Sequence, residues 1–118
     1  MFTKVASSVV TGGWQGDDAE YNFNILTPTV SASAASGGKV LVVGNINVDQ
    51  YIGTEGRPEN FNPSLLNLDN NPQGVTMKDG VVSLNVNLTA SDKVFIGTLK
   101  YNHSPIGQLY VSPSITGN

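Results

Sequence analysis

The chain has 118 residues, which is enough for one domain with a single core and too few for two ordinary domains. Nine acidic and six basic side chains give a formal net charge of −3, and charged residues make up 13% of the chain, about half of the usual share. Six scattered cations cannot release many counterions from phosphates, so the composition argues against nucleic-acid binding. The absence of cysteine excludes disulfides, thiolate metal sites and a cysteine nucleophile.

Small polar and β-branched residues take the place of the missing charges. The chain contains 13 Asn, 11 Ser, 9 Thr, 14 Val and 6 Ile. β-branched side chains lose rotamer freedom in a helix and fit a pleated surface. The composition therefore favours an all-β protein and argues against a mainly helical one.

Alternation of apolar and polar residues predicts the strands of the first half. Asparagine alternates with apolar residues over 21–25, which is typical of a strand with one dry and one wet face. The small-residue segment 31–38 predicts a flexible loop. A long strand is predicted over 39–52, in which Gly44 marks a bulge or a close backbone approach. Its predicted buried face consists of Val40, Val42, Ile46 and Val48.

The middle of the chain predicts a long irregular loop at about 53–74. It contains three prolines and shows no alternation. Connections of this length are uncommon and are often functional or interfacial. Residues 64–68 within it predict one helical turn capped by Ser64.

The second half predicts a meander of four short strands. Asp79-Gly80 separates two apolar runs and predicts a two-residue hairpin, because a type I′ turn needs positive φ at both positions. Residues 82–89 alternate strictly, with the apolar residues at even positions. Two further strands, 94–101 and 106–112, flank a predicted turn at 102–105.

Together these elements predict one all-β domain over residues 1–118. Seven or eight strands with turns at short spacing indicate an antiparallel two-sheet sandwich or a small jelly-roll-like barrel.

The sequence gives little support for catalysis, and we predict that the protein is not an enzyme. His103 is the single histidine, and it falls in the predicted turn. A serine hydrolase would need a histidine next to an activated serine, and the chain has no Gly-x-Ser-x-Gly elbow. We therefore expect His103 to be an exposed turn residue.

One segment weakly resembles the opening of a calcium loop, and no other cofactor is predicted. Asp69, Asn71 and Gln73 place oxygen-bearing side chains at alternate positions before a glycine. The bidentate glutamate that usually closes such a loop is replaced by Gly80, and Pro72 interrupts the pattern. An asparagine-rich turn is the competing interpretation.

Two groups of residues are candidates for glycan binding. Sugar sites combine an aromatic ring with polar groups that bond hydroxyls. Trp14 lies in a glycine-flanked segment before Asp17 and Asp18, and the second group consists of Tyr51, Arg57 and Asn60 around the long loop. The competing interpretation of Trp14 is that it caps one end of the core.

The low charge and the polar, uncharged strand faces predict self-association, because charges are depleted at the centres of protein interfaces. The segments most able to reach a neighbour are 1–11, 31–38 and 112–118. The leading hypothesis is a non-enzymatic structural module that packs in many copies or joins a larger assembly, such as a surface or decoration protein of a phage-like virion. The alternative is a small carbohydrate-binding module or lectin, either with calcium or without it.

The predicted location follows from what the sequence lacks. No classical signal peptide is visible, and no apolar run approaches the length that spans a bilayer. We therefore expect no membrane span and a place on the surface of a virion or another extracellular particle.

Overall fold

The structure is a computed structural model that describes residues 2–15, 20–23, 28–34, 36–52, 60–69 and 73–117. These residues form nine strands and one short α-helix, so the all-β prediction is confirmed. In chain order the elements are β1 (Phe2–Gln15), β2 (Glu20–Phe23), β3 (Thr29–Ala34), β4 (Lys39–Asn47), α1 (Val48–Ile52), β5 (Leu66–Asp69), β6 (Val75–Lys78), β7 (Val81–Thr89), β8 (Val94–Tyr101) and β9 (Ser104–Gly117). Short 3-10 turns cover Ser36–Gly38 and Pro63–Leu65.

The strands form one antiparallel, nearly closed barrel, which is the second of the two predicted arrangements. The order around the barrel is β5-β8-β9-β1-β3-β4-β7-β6, and β2 pairs with β1 outside this path. β3, β4, β7 and β6 form one half of the wall, and β1, β9, β8 and β5 form the other. The halves are joined by the pairing of Ala6 with Val30 and of Ser7 with Thr29. On the opposite side β5 and β6 lie close together.

Strict alternation in β7 places one face of the strand in the core. Val82, Leu84, Val86 and Leu88 are buried, whereas the residues between them are half-buried or exposed. This confirms the predicted dry and wet faces over 82–89. The same alternation in the neighbouring strands fills the interior of the barrel with valine, leucine and isoleucine side chains.

Two tight hairpin turns define one end of the barrel. Asp79 and Gly80 have φ of 51° and 84°, and they join β6 to β7 as the type I′ signal predicted. Asn102 and His103, with φ of 49° and 73°, join β8 to β9 in the same way. We call this end the turn end. The opposite end carries the connection 90–93 between β7 and β8, and we call it the link end.

The predicted strand over 39–52 ends earlier than expected. β4 stops at Asn47, and α1 follows because the Asn47 side chain accepts a hydrogen bond from the Gln50 N–H, at 3.2 Å. The Gly80 carbonyl also accepts the Val48 N–H, at 2.9 Å. The close approach predicted at Gly44 is confirmed, since a Cβ there would lie 2.8 Å from Cβ of Val30.

Two other expectations on organisation were wrong. The first part of the predicted loop 31–38 belongs to β3. β7 and β8 do not pair, so the second half forms two hairpins rather than a meander, and the connection 90–93 crosses the link end. The two terminal segments, which the sequence predicts to reach a neighbour, pair with each other as β1 and β9 from residues 2 and 117 onward.

The predicted loop at about 53–74 is only partly within the described residues. Its described part contains the 3-10 turn Pro63–Leu65 and the strand β5. Asn62, rather than the predicted Ser64, caps this turn and accepts a hydrogen bond from the Ser64 N–H, at 3.1 Å. The Phe61 ring stacks on Tyr101 with centroids 5.1 Å apart, and the Tyr101 hydroxyl accepts the Asn62 N–H, at 2.9 Å. These contacts hold the segment against the turn end.

Candidate functional site

The described residues among those predicted to bind glycans belong to segments at the turn end. Trp14 lies in β1, where its backbone pairs with Tyr21 of β2 beyond the last pairing with β9. The side chain of Tyr51 in α1 is 48% exposed, and Asn60 is an exposed turn residue. Asp17, Asp18 and Arg57 lie outside the described residues. The fold therefore places Trp14, Tyr51 and Asn60 at one end of the barrel. That they form a common glycan-binding site stays a prediction.

The described residues among those predicted to bind calcium have other partners or surroundings. The Asp69 carboxylate forms an ion pair with Lys100, with 3.0 Å between Oδ2 and Nζ. Gln73 lies two residues before β6 on a surface groove, and Asn71 is outside the described residues. Within the described ranges, no three acidic or histidine side chains lie close enough to hold a metal ion. The calcium hypothesis stays a prediction.

His103 is an exposed residue of the β8–β9 turn, as the sequence predicts. Its neighbour Asn102 is exposed as well, and the Asn102 N–H donates to the Leu65 carbonyl, at 3.0 Å. His103 therefore lies in an exposed hairpin turn and not in an enclosed pocket.

A polar surface covers the outside of the half-barrel β3-β4-β7-β6. Its side chains come from the strand positions that alternate with the core residues, and we call it the uncharged face. The central members are Ser31, Leu41, Val43, Asn45, Thr76, Ser83, Asn85 and Asn87. Lys39 and Lys78 lie at opposite ends of this surface, so its centre carries no charged side chain.

The uncharged face combines an apolar centre with amide and hydroxyl groups. Leu41 is half-buried and Val43 is 44% exposed, which is high for a large apolar side chain in a central strand. Next to them the Ser83 hydroxyl donates to Asn45 Oδ1, at 2.9 Å. Amides and hydroxyls both donate and accept hydrogen bonds. A surface of this kind can therefore form hydrogen bonds with an identical surface of a second copy.

A groove borders this face where β6 begins. It has a volume of about 540 Å³ and is lined by Gln73, Gly74, Asn85, Val86 and Asn87. β6 pairs with residues 81–84 of β7, and the Gly74 carbonyl accepts the Asn85 N–H, at 2.8 Å. Beyond Asn85 the β7 edge on this side faces the groove, and none of the described strands pairs with it there.

An aromatic pair on the other half-barrel was missed by the sequence analysis. The Phe95 side chain is 45% exposed and meets the Tyr110 ring edge-on, with centroids 5.5 Å apart. Lys93 Nζ lies 4.6 Å from the centroid of the Tyr110 ring. The pairing of β8 with β9 shifts between Phe95 and Gly97. This irregularity breaks the alternation from which the exposure of Phe95 could have been predicted.

No protein-family model matches the chain, and neither a curated protein nor a solved structure matches it significantly. Among the described residues, no helix has both the length and the apolar character needed to cross a bilayer.

Proposed function

We propose that the protein is a non-enzymatic structural module that assembles with copies of itself, as a surface or decoration protein of a virion or a comparable extracellular particle. The uncharged face is the observation that supports this proposal. A surface whose charges have one sign repels an identical surface, because the two copies bring like charges together. Amide and hydroxyl groups around the apolar pair Leu41 and Val43 avoid that repulsion.

The uncharged face has the size of a weak contact. Its four strands contain 28 residues, with 6 in β3, 9 in β4, 9 in β7 and 4 in β6, and each strand residue covers about 16 Å² of sheet. Two such faces would bury about 900 Å² in total, which is below the standard size of a specific interface. Such an area supports a contact that many copies reinforce rather than a tight isolated dimer.

A charge at the centre of the uncharged face is expected to weaken self-association. We expect Val43→Lys to raise the dissociation constant at least tenfold, because a buried unpaired ammonium group costs more than the contact gains. Sedimentation velocity over a wide concentration range measures this effect.

The matched control for this substitution is Gln108→Lys, which adds the same charge at an exposed strand position on the other half-barrel. It is expected to leave the dissociation constant within about twofold of the wild-type value. A wild-type chain that stays monomeric at millimolar concentration would contradict the proposed function.

Glycan binding is a second candidate function, favoured by the exposed Phe95 beside Tyr110. An exposed ring can stack against the apolar face of a sugar, as aromatic side chains do at mixed apolar and polar surfaces. Screening on a glycan array, with and without a calcium chelator, tests this function. We expect Phe95→Ala to remove any signal, and a signal that persists unchanged in this variant would exclude the aromatic pair as the site.

A further inference from the structure

We propose that the edge of β7 at residues 87–89, which pairs with none of the described strands on the side away from β4, accepts an added strand from a second copy of this chain. The donor would be the ribbon formed by residues 2–5 of β1 and 114–117 of β9, which we call the terminal ribbon. This inference rests on the proposed function and names the contact through which the copies would join.

The hydrogen-bonding direction of β7 follows from one observed bond. In an antiparallel ladder the N–H and C=O of one residue point to the same side of the strand, and the side alternates from residue to residue. The Asn85 N–H donates towards β6, to the Gly74 carbonyl. The backbone groups of Asn87 and Thr89 therefore point to the same side, away from β4. No described strand lies there to receive them.

The side chains along this edge do not protect it from pairing. Natural edge strands are often protected by lysine, proline or bulges. Asn85, Asn87 and Thr89 are exposed and uncharged, and the groove lined by Gln73 and Asn87 leaves space beside the edge. An extended segment can therefore approach the β7 backbone without displacing a charge.

The terminal ribbon offers a complementary edge. Residues 2–5 and 114–117 pair with each other, whereas β1 pairs with β3 at Ala6 and Ser7 only, among the described residues. A two-stranded ribbon is marginally stable in water, so an additional strand partner would stabilise it. The terminal ribbon leaves the barrel at the link end, which is the end at which residues 87–89 lie.

The β1 side of the ribbon is the better donor edge. The Ser8 N–H donates to the Pro28 carbonyl on the side away from β9. By the same alternation the backbone groups of Phe2 and Lys4 point to that side. The β9 edge is less suitable, because the connection 90–93 already contacts it next to the ribbon, where the Pro113 carbonyl accepts the Ser91 N–H, at 3.4 Å.

The two edges match in spacing and length. Phe2 and Lys4 are two residues apart, as are Asn87 and Thr89. Residues 87–89 span about 10 Å and residues 2–5 about 13 Å. Antiparallel pairing of Lys4 with Asn87 and of Phe2 with Thr89 would give every one of these backbone groups a partner. A reciprocal exchange would join two copies around a two-fold axis.

Cysteine crosslinking between two single variants tests this contact. The chain contains no cysteine, so Lys4→Cys and Asn87→Cys each introduce a unique thiol. When the two variants are mixed under mild oxidation, we expect a disulfide-linked dimer that contains one copy of each. The yield of this dimer should be at least ten times the yield of disulfide-linked dimer in the control mixture of Lys4→Cys with Gln108→Cys. A yield equal to the control, in a sample that sedimentation shows to be associated, overturns the strand addition alone.

Hydrogen exchange on the unmodified chain gives a second readout. We expect the Asn87 and Thr89 amides to exchange at least tenfold more slowly in the associated form than in the dilute monomer, because they gain hydrogen-bond partners. Unchanged exchange at both amides in the associated form overturns the strand addition. A chain that never associates overturns both this inference and the proposed function, so the two failures are distinguishable.

Discussion

Replacing Gly97 with alanine is expected to lower the free energy of unfolding by about 3 kcal/mol, at the upper end of the range for overpacked sites. Gly97 is buried in β8, next to the register shift in the pairing with β9. A Cβ at this position would collide with the backbone carbonyl oxygen of Asp69 and would lie 3.0 Å from Cγ of Leu68. Relief of the collision requires β5 to move away from β8.

The loss is expected to be large because the obstacle is backbone rather than a mobile side chain. β5 has four residues, of which Leu66 is 2% exposed and contributes to the core. A shift of β5 therefore uncovers apolar surface as well as breaking its ladder with β8. Urea denaturation followed by circular dichroism measures the change in the free energy of unfolding.

The control for this prediction is Gly37→Ala. Gly37 has φ of 75°, and a Cβ there would have no neighbour within 4 Å. Its substitution adds backbone strain alone, which costs about 1 kcal/mol. Equal losses in the two variants would mean that the contact with Asp69 does not determine the effect at Gly97.

Local signals were sufficient to predict the elements whose structure depends on their own residues. The alternation over 82–89 fixes which face of β7 is buried, and Asp79-Gly80 fixes the hairpin before it. Each requires only the period of two along a strand or the positive φ of a type I′ turn. The same alternation, together with the low charge, indicated the polar outside of the barrel that became the uncharged face.

Elements that depend on distant partners were predicted poorly. α1 begins where β4 was expected to continue, because the Gly80 carbonyl from another hairpin accepts the Val48 N–H. β3 was mistaken for a loop because its core residue Ala32 is small, although it is 1% exposed. Alanine gives a weak hydrophobic signal, so the alternation of serine and alanine in this segment was not recognised as a strand.

The candidate site shows the same division. Exposed amides on β7 follow from its alternation, but no described strand pairs with the edge beyond Asn85, because β6 is shorter than β7. The length of a partner strand is not encoded within β7 itself. The pairing of the two chain ends into the terminal ribbon connects residues more than a hundred positions apart, and no local pattern in either segment indicates it.

Replacing Ser8 with alanine is expected to stabilise the protein by about 2 kcal/mol, in contrast to most substitutions in a core. The Ser8 side chain is fully buried on the inner face of β1, and its hydroxyl has no hydrogen-bond partner among the residues that the structure describes. A buried hydroxyl without a partner carries the cost of its lost hydration. Alanine removes this group and leaves very little empty volume. Calorimetry should show a melting temperature several degrees higher.

Ser83→Ala is the matched control for this prediction, because the same atom is removed from a hydroxyl that has a partner. The Ser83 hydroxyl donates to Asn45 Oδ1, at 2.9 Å, and its loss is expected to cost about 1 kcal/mol. The two serine-to-alanine substitutions should therefore shift the melting temperature in opposite directions. If Ser8→Ala lowered the melting temperature as Ser83→Ala does, the Ser8 hydroxyl would have to be hydrogen-bonded in solution.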